Sequence, residues 1–600
     1  MYKWLILLTS AAWSGAAMAQ PADPLAPIPT APIPTAPIPT APIPTTPAAP
    51  IPIPPAPIPT VQLPAPVPTR QIPTDWRGVF AAIRGGDWAG ASAGITALPD
   101  GPLKPVARAE LDTAKGSPMV DGASLAALLT EAPDLPQGDQ LQRLAIGRIS
   151  DDAMPGISRK YAIVALPGAP RRGRIRVAAG DPAADVLRAQ LDALLKVDDA
   201  TGAEALYQAA APTLTPEGKA EGAQRVAWAY YGLNLDADTL RLADDARATG
   251  TGEWSAAASW IGGLAAWRSN DCSGALLRFA EVASRASGEL ASGGAYWAAR
   301  AAQMCRRPAE ATPWLLRAAR SPESFYGLLA RETLGMETRL PVDGGGGSTY
   351  AVSALPNVIR AEALAAIGER GLAEQFLRHQ AAIGSPAQQR GLIAEAQRLD
   401  LVGAQYWLAT NGQAGANVDP AARYPKPRWA SDHGWRIDPA LAYGHVIQES
   451  IFRSDAVSAA GAVGLMQVRP GTAADTARAR GEAFAPAQLY RPETNLDHGQ
   501  AFIEQLRANP VTQGQLPKVI AAYNAGPVPV SRWNYINDKG DPLLWVESIP
   551  YWETRFYVPA VMRNMWVYQG LSGELQATLK AMVQHRWPAF PTGRGISFTP

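Results

Sequence analysis

The chain is 600 residues long, carries a formal net charge of +1, and is 47% hydrophobic and 18% charged. That length suits about three or four domains with large cores, in the composition range of ordinary globular protein. So even a charge balance, with no concentrated Lys/Arg run, excludes the basic field that nucleic acid or an anionic membrane surface would need.

The opening residues MYKWLILLTSAAWSGAAMAQ hold Lys3, an apolar run from Trp4 to Leu8 and Ala17-Met18-Ala19 before Gln20. This is the pattern of a secretory signal, so residues 1–19 are expected to be removed on export. No cysteine lies near the cleavage point to take a lipid, and no later stretch reaches the apolar length of a membrane span, so no integral membrane segment is expected after cleavage. Residues 20–74 are proline-rich, with APIPT at Ala26–Thr30, Ala31–Thr35, Ala36–Thr40, Ala41–Thr45 and Ala56–Thr60. Proline removes backbone donors, and a five-residue repeat is out of phase with the three-residue turn of polyproline II, so the isoleucines share no face. A semi-rigid tether of roughly 3 Å per residue is expected.

From 75 to 341 the pattern is helix after helix, with apolar residues three and four apart and Gly, Pro or Asp breaks. Trp228, Trp267 and Trp297 recur in similar Ala-rich helices, a weak self-similarity that fits an α-solenoid whose hairpins bury their open faces on one another. Cys272 and Cys305, the two cysteines, bracket a helical hairpin read as Ser273–Ser287 and Ala291–Met304 around Gly288. Export permits a disulfide, and an antiparallel hairpin would bring its two ends together, so a Cys272–Cys305 bridge is expected, two buried thiols being the alternative. A run from Asp343 to Ser348 containing four glycines opens a short helical unit, 342–423, in which QRLDLVGAQYWLAT reads as the last helix. YPKPRW, Tyr424–Trp429, is a loop. A compact unit, 424–575, and a tail, 576–600, complete the chain.

Chemistry concentrates in the compact unit. IDPALAYGHVIQESIF, Ile437–Phe452, reads as a helix capped by Asp438 with Pro439 in its first turn. Ala442, Val446, Glu449 and Phe452 fall three or four apart, so Glu449 shares an apolar stripe. A carboxyl at a core edge suits a glycosidic acid, which must stay protonated near neutral pH; the plain alternative is a buried Glu449 paired with His445, one turn earlier. In AGAVGLMQ, Gly461 and Gly464 permit tight turns and close approach. Met466 and Gln467 there are candidates for an apolar wall and an amide facing sugar hydroxyl and acetamido groups, or else filler and an exposed side chain. The helix from about Pro517 ends at Tyr523-Asn524-Ala525-Gly526, the chemistry of a helix stop. That does not account for Tyr523, nor for Trp533, Trp545, Tyr551, Trp552 and Tyr557 following so densely. Aromatic faces suit pyranose rings, and about two of these six are expected to face a ligand.

QES-x-F, A-x-S-x-x-GA-x-GLMQ-x-x-P-x-TA, AYNAG and E-x-IP-x-x-ETR-x-YV, in this order, resemble the soluble lytic transglycosylases of bacterial cell walls. The match covers about Tyr424 to Tyr568, with weaker similarity upstream in SGGAYWAARAA, FYGLLARETLG and YPKPRW. The resemblance implies a mainly α chain, an α-superhelical solenoid followed by a goose-type lysozyme-like catalytic domain, in the periplasm. It makes Glu449 the single acid and then base, Ser458 the contact to the N-acetyl group, and Met466 and Gln467 cleft residues. Tyr523 and Asn524 become substrate contacts, and Glu553 and Tyr557 the pair beside the acid. Arg469 departs from the methionine or leucine found in many members.

The implied reaction needs no second carboxylate, because the substrate's N-acetyl carbonyl stabilises the anomeric carbon. Glu449 then deprotonates the muramic acid 6-hydroxyl, which closes a 1,6-anhydro ring. Asp455 and Asp475 read as solvated, and no His or Cys cluster suggests a metal or organic cofactor. Peptidoglycan glycan strands are the expected substrate, with proteins of wall synthesis or degradation as candidate partners. A goose-type hydrolase acting on the same bond, or a non-catalytic wall-binding scaffold, are the alternatives.

Overall fold

Aspartate marks where helices begin. In the computed structural model, which describes residues 72–170, 172–249, 252–341 and 349–591, Asp75, Asp87, Asp121, Asp181, Asp199 and Asp271 each precede a helix. Each accepts a hydrogen bond from the backbone N–H three residues on, filling one of the donors a first turn leaves open. In four of them that third residue is glycine, Gly78, Gly90, Gly202 or Gly274. The expected signal segment, the APIPT repeats, the Asp343–Ser348 run and residues 592–600 lie outside the described residues.

Among the described residues there are 26 α-helices and one small sheet, in which Ile163–Ala165 runs antiparallel to Asn411–Gln413 with Val164 opposite Gly412. The architecture is mainly α, as expected. Helices Pro216–Gly232, Asp236–Thr249, Gly252–Arg268, Cys272–Arg285, Gly288–Met304 and Pro308–Ala319 pack each on the next, burying Trp254, Trp260, Phe279 and Trp297 between them. Cys272 and Cys305 are bonded, with Cα atoms 5.4 Å apart, across the hairpin of helices Cys272–Arg285 and Gly288–Met304.

The apolar core is divided in a way the chain order does not suggest. Val79, Phe80, Leu125 and Leu128, from the first five helices, share one cluster with Val358, Phe376, Leu392 and Leu408. A second cluster runs from Ala184 through the stacked hairpins and on to Phe590. The last expected helix of the 342–423 unit is two helices, Gln389–Arg398 and Val402–Thr410, because Asp400 takes a left-handed φ of 54° between them. Residues beyond 575 continue the fold: helix Ala577–Val583 buries Leu579 and Met582.

The seam between stack and final unit is polar as well as apolar. Glu547, fully buried, pairs with Arg172 at 2.6 Å and accepts a hydrogen bond from Tyr326. Tyr326 in turn accepts from Trp297 Nε1 at 3.0 Å. Phe325 stacks on Trp566 at 5.1 Å, and the Arg555 guanidinium lies 3.7 Å from the Trp228 ring centre. Every partner of these buried polar groups comes from the other side of the seam or from its own shell, so the network stays satisfied only while both sides are present.

Candidate active site

Glu449 is the last residue of its helix, Pro439–Glu449, which Asp438 caps by accepting the Ala440 N–H. The helix was expected to run to Phe452. It stops because Ile451 and Phe452 take left-handed φ values of 54° and 61°; for a β-branched residue this is a strained conformation. The turn leaves the Phe452 ring buried and puts the Glu449 carboxyl, half-buried, at the helix end.

That carboxyl lines a cavity of about 270 Å³. Asn524, Glu553 and Tyr557 line it from the final unit, together with Gln448, Trp552 and Phe556. The opposite wall comes from the stack and the segment leading into it, through Pro170, Arg172, Glu289, Phe325 and Tyr326. Tyr557 donates to Glu449 Oε1 at 2.5 Å, and His445 Nδ1 lies 2.7 Å from the Tyr557 hydroxyl. Burial pushes the Glu449 carboxyl up to about 7; the Tyr557 hydrogen bond opposes this and the neighbouring Glu553 adds to it. Burial also drives His445 down to about 3, so the ring is neutral at physiological pH. His445 therefore does not pair with Glu449 as a cation; the tyrosine stands between them.

The remaining expected site residues surround the cavity without lining it. Tyr523 donates to the Met466 carbonyl at 2.7 Å, and its ring centre lies 4.5 Å from that of His445. Met466 is fully buried, packed where Gly499 leaves room. Gln467, at φ 49°, donates from Nε2 to the Ala456 and Gly464 carbonyls, and Ser458 Oγ accepts the Ala462 N–H. These three build the loop. Of the six aromatics, Trp552 and Tyr557 line the cavity, Trp533 and Trp545 are core, and Tyr551 stands exposed against Trp533. Asp455, Asp475 and Arg469 are exposed.

Sequence reasoning missed two groups. Asn495, fully buried, accepts the Met466 N–H through Oδ1 and donates from Nδ2 to the Val463 and Leu489 carbonyls, pinning the GLMQ loop. Its signal was a lone asparagine in an otherwise unremarked helix start. The wall from the stack is distant in the chain; Phe325 and Tyr326 fell in the quoted FYGLLARETLG stretch, but nothing there pointed to the cavity. Glu289 belongs to it: burial raises its pKa, and its oxygens accept the Phe325 and Tyr326 N–H groups.

Residues 430–545 match the family model described as the transglycosylase SLT domain. The soluble lytic murein transglycosylase of Salmonella typhimurium is 35% identical over 154 residues, which is 24% of this chain and 23% of that protein. That of Escherichia coli K12 is 35% identical over 156 residues, 25% of this chain and 23% of the other. The alignments thus span about a quarter of the curated relatives' length. Among solved structures, an inactive variant of lytic transglycosylase Slt from Pseudomonas aeruginosa superposes with a TM-score of 0.52 at 22% identity, covering 84% of this chain and 73% of its own. The complex of the 70-kDa soluble lytic transglycosylase with bulgecin A does so with a TM-score of 0.52 at 18% identity, over 83% and 96%. Both superpositions speak to the fold, and the sequence matches to the final unit. The chain thus carries a match to the transglycosylase SLT domain in residues 430–545, behind a stack of helices that shares its fold with these solved structures.

Proposed function

We propose that the protein is a peptidoglycan lytic transglycosylase, cleaving the β-1,4 bond between N-acetylmuramic acid and N-acetylglucosamine and leaving a 1,6-anhydro end. The observation that carries this reading is Glu449, held near pKa 7 inside a cavity lined from an SLT domain. Protonated, it gives its proton to the glycosidic oxygen while the substrate's acetamido carbonyl supports the anomeric carbon. Ionised, it takes the proton of the 6-hydroxyl, whose oxygen then bonds to that carbon; the proton returns to the carboxyl and water is not consumed. Holding that hydroxyl beside the reacting carbon gives it the effective-molarity advantage of an internal nucleophile.

Thr554 donates to Asn524 Oδ1 at 2.6 Å, which leaves the Asn524 amide hydrogens for the cavity, where they suit a substrate carbonyl. Trp552 and Tyr557 supply the aromatic faces for pyranose rings. Ser458, Met466 and Gln467 act by shaping the loop beside the acid. The same reading makes the protein an exported, periplasmic enzyme working on glycan strands, with the stack as the surface for long strands and for partners in wall synthesis or degradation.

Glu553 favours a second reading. It is a carboxylate exposed on the same cavity, and a hydrolase of the goose-lysozyme kind would use such a group to orient water. Mass spectrometry of digests run in heavy-oxygen water separates the two. Unlabelled muramic acid ends lighter by one water support the transglycosylase; labelled ends overturn it.

A further inference from the structure

We infer that His445 is a positioning residue for the acid: through Tyr557 it dictates which oxygen of Glu449 carries the proton. The inference rests on Glu449 being the general acid, and it concerns only how that acid is aimed. The Tyr557 hydroxyl has one hydrogen and two neighbours, Glu449 Oε1 at 2.5 Å and His445 Nδ1 at 2.7 Å. It donates to one and must accept from the other. With the proton of His445 on Nδ1, the chain runs His445 to Tyr557 to Glu449, and Oε1 is always the acceptor. The transferable proton then sits on Oε2, the oxygen that Tyr557 does not engage. With the His445 proton on Nε2 the chain reverses. Tyr557 donates to His445, and a protonated Glu449 spends its proton on Tyr557, away from the substrate.

Burial decides between the two. His445 has no exposed surface, and its Nε2 has no hydrogen-bond partner among the described residues. The Nδ1–H form leaves one lone pair unmet; the Nε2–H form leaves a buried donor unmet and also takes the tyrosine's hydrogen from the carboxylate once the acid has ionised, where that bond is charge-assisted. The groups that face this chain are Tyr523 on helix Leu516–Ala525, Glu553 and Tyr557 on helix Trp552–Leu571, and Glu289, Arg172, Tyr326 and Arg563 around the cavity. None of them offers Nε2 an acceptor.

The test uses the full-length protein. Nitrogen-15 NMR of histidine-labelled wild type, with His445 assigned as the ring that Tyr557→Phe perturbs, should show a neutral Nδ1–H tautomer; an Nε2–H tautomer overturns the inference, and this readout is independent of substrate or turnover. In kinetics, His445→Leu should lower kcat about tenfold or more with KM nearly unchanged, and raise the pH midpoint at which activity falls, since the donation that lowers the Glu449 pKa is weakened. His445→Asn, whose amide can donate from the Nδ1 position, should restore most of both. Tyr557→Phe should shift the same limb, and the double variant with His445→Leu should add nothing further. An unchanged pH limb in folded His445→Leu, or fully additive effects, would also overturn it. Failure of the transglycosylase reading itself would show instead as labelled ends in heavy-oxygen water, with the tautomer unchanged.

Discussion

A single carboxyl at the end of a helix carries the proposed chemistry, and its environment makes two predictions. Glu449→Gln is nearly isosteric but has no proton to give, so activity on peptidoglycan should fall below a few per cent of wild type while circular dichroism stays the same. The second follows from linkage. The folded carboxyl titrates at about 7 against an ordinary value of 4.5. Its contribution to stability is therefore fully present below 4.5 and is lost as pH rises through about 7. The glutamine variant has no such dependence, so its melting temperature relative to wild type should climb between pH 4.5 and 7 and then level off; a gap independent of pH would contradict the raised pKa. At this scale the sequence was informative where a residue's partners lie on its own or a neighbouring motif. Glu449 stood out by helix spacing and Tyr557 by the density of aromatics, whereas Asn524 and Glu553 were named only through the resemblance of their motifs to the soluble lytic transglycosylases. That Tyr557 stands between His445 and Glu449 could not be read, because helix spacing puts His445 and Glu449 on one face and says nothing of a side chain arriving from helix Trp552–Leu571.

Two elements hold the molecule's special geometry, a stapled hairpin and a glycine loop. The Cys272–Cys305 bond closes a loop with a sequence separation of 33, and loops of that length constrain the unfolded chain by about 3–4 kcal/mol. Replacing both cysteines by alanine should lower the denaturant midpoint accordingly, and mass spectrometry of non-reduced peptides should find the pair joined. In the GLMQ loop, Gly464 has φ 77°, and a methyl there would meet the Leu489 carbonyl oxygen and the Asn495 amide that pins Met466. Gly464→Ala should cost about 2 kcal/mol or more, and should lower activity by moving the loop on which Tyr523 rests. Of the helix starts, the cap at Asp438 was read from the sequence, while the recurring aspartate three residues before a glycine, at Asp75, Asp87, Asp199 and Asp271, became plain only in the structure. The end of the acid helix was not legible. Nothing in the composition of Ile451 and Phe452 foretells left-handed backbone, because the strain is repaid by burying Phe452 beside Tyr406 and Trp429.

At the scale of the whole molecule, the sequence suggested a helical solenoid followed by a compact unit that holds the chemistry, and the structure brings both to one cavity. Arg172, Glu289, Phe325 and Tyr326 come from far upstream, yet they form one wall of the cavity that Glu449 lines. Only tertiary packing brings them there, which is why no local pattern, FYGLLARETLG included, placed them at the cavity. Arg172 shows the coupling most sharply: its pairing with fully buried Glu547 spans the seam, and Arg172→Ala would leave that carboxylate buried without its cation, a loss of about 3 kcal/mol or more. A fragment beginning near Arg423 removes the whole wall at once. The chain of His445, Tyr557 and Glu449 lies entirely within it, so the acid keeps its aim. What the fragment loses is the far side of the cavity, the part that would hold substrate equally in the ground and transition states. Such a loss raises KM and leaves kcat nearly alone. The folded fragment should therefore cleave soluble glycan fragments with kcat within about tenfold of the full chain and a KM raised by more than that. A fragment that folds, as judged by near-ultraviolet circular dichroism, and loses kcat with KM unchanged would mean that the stack contributes to the chemical step itself.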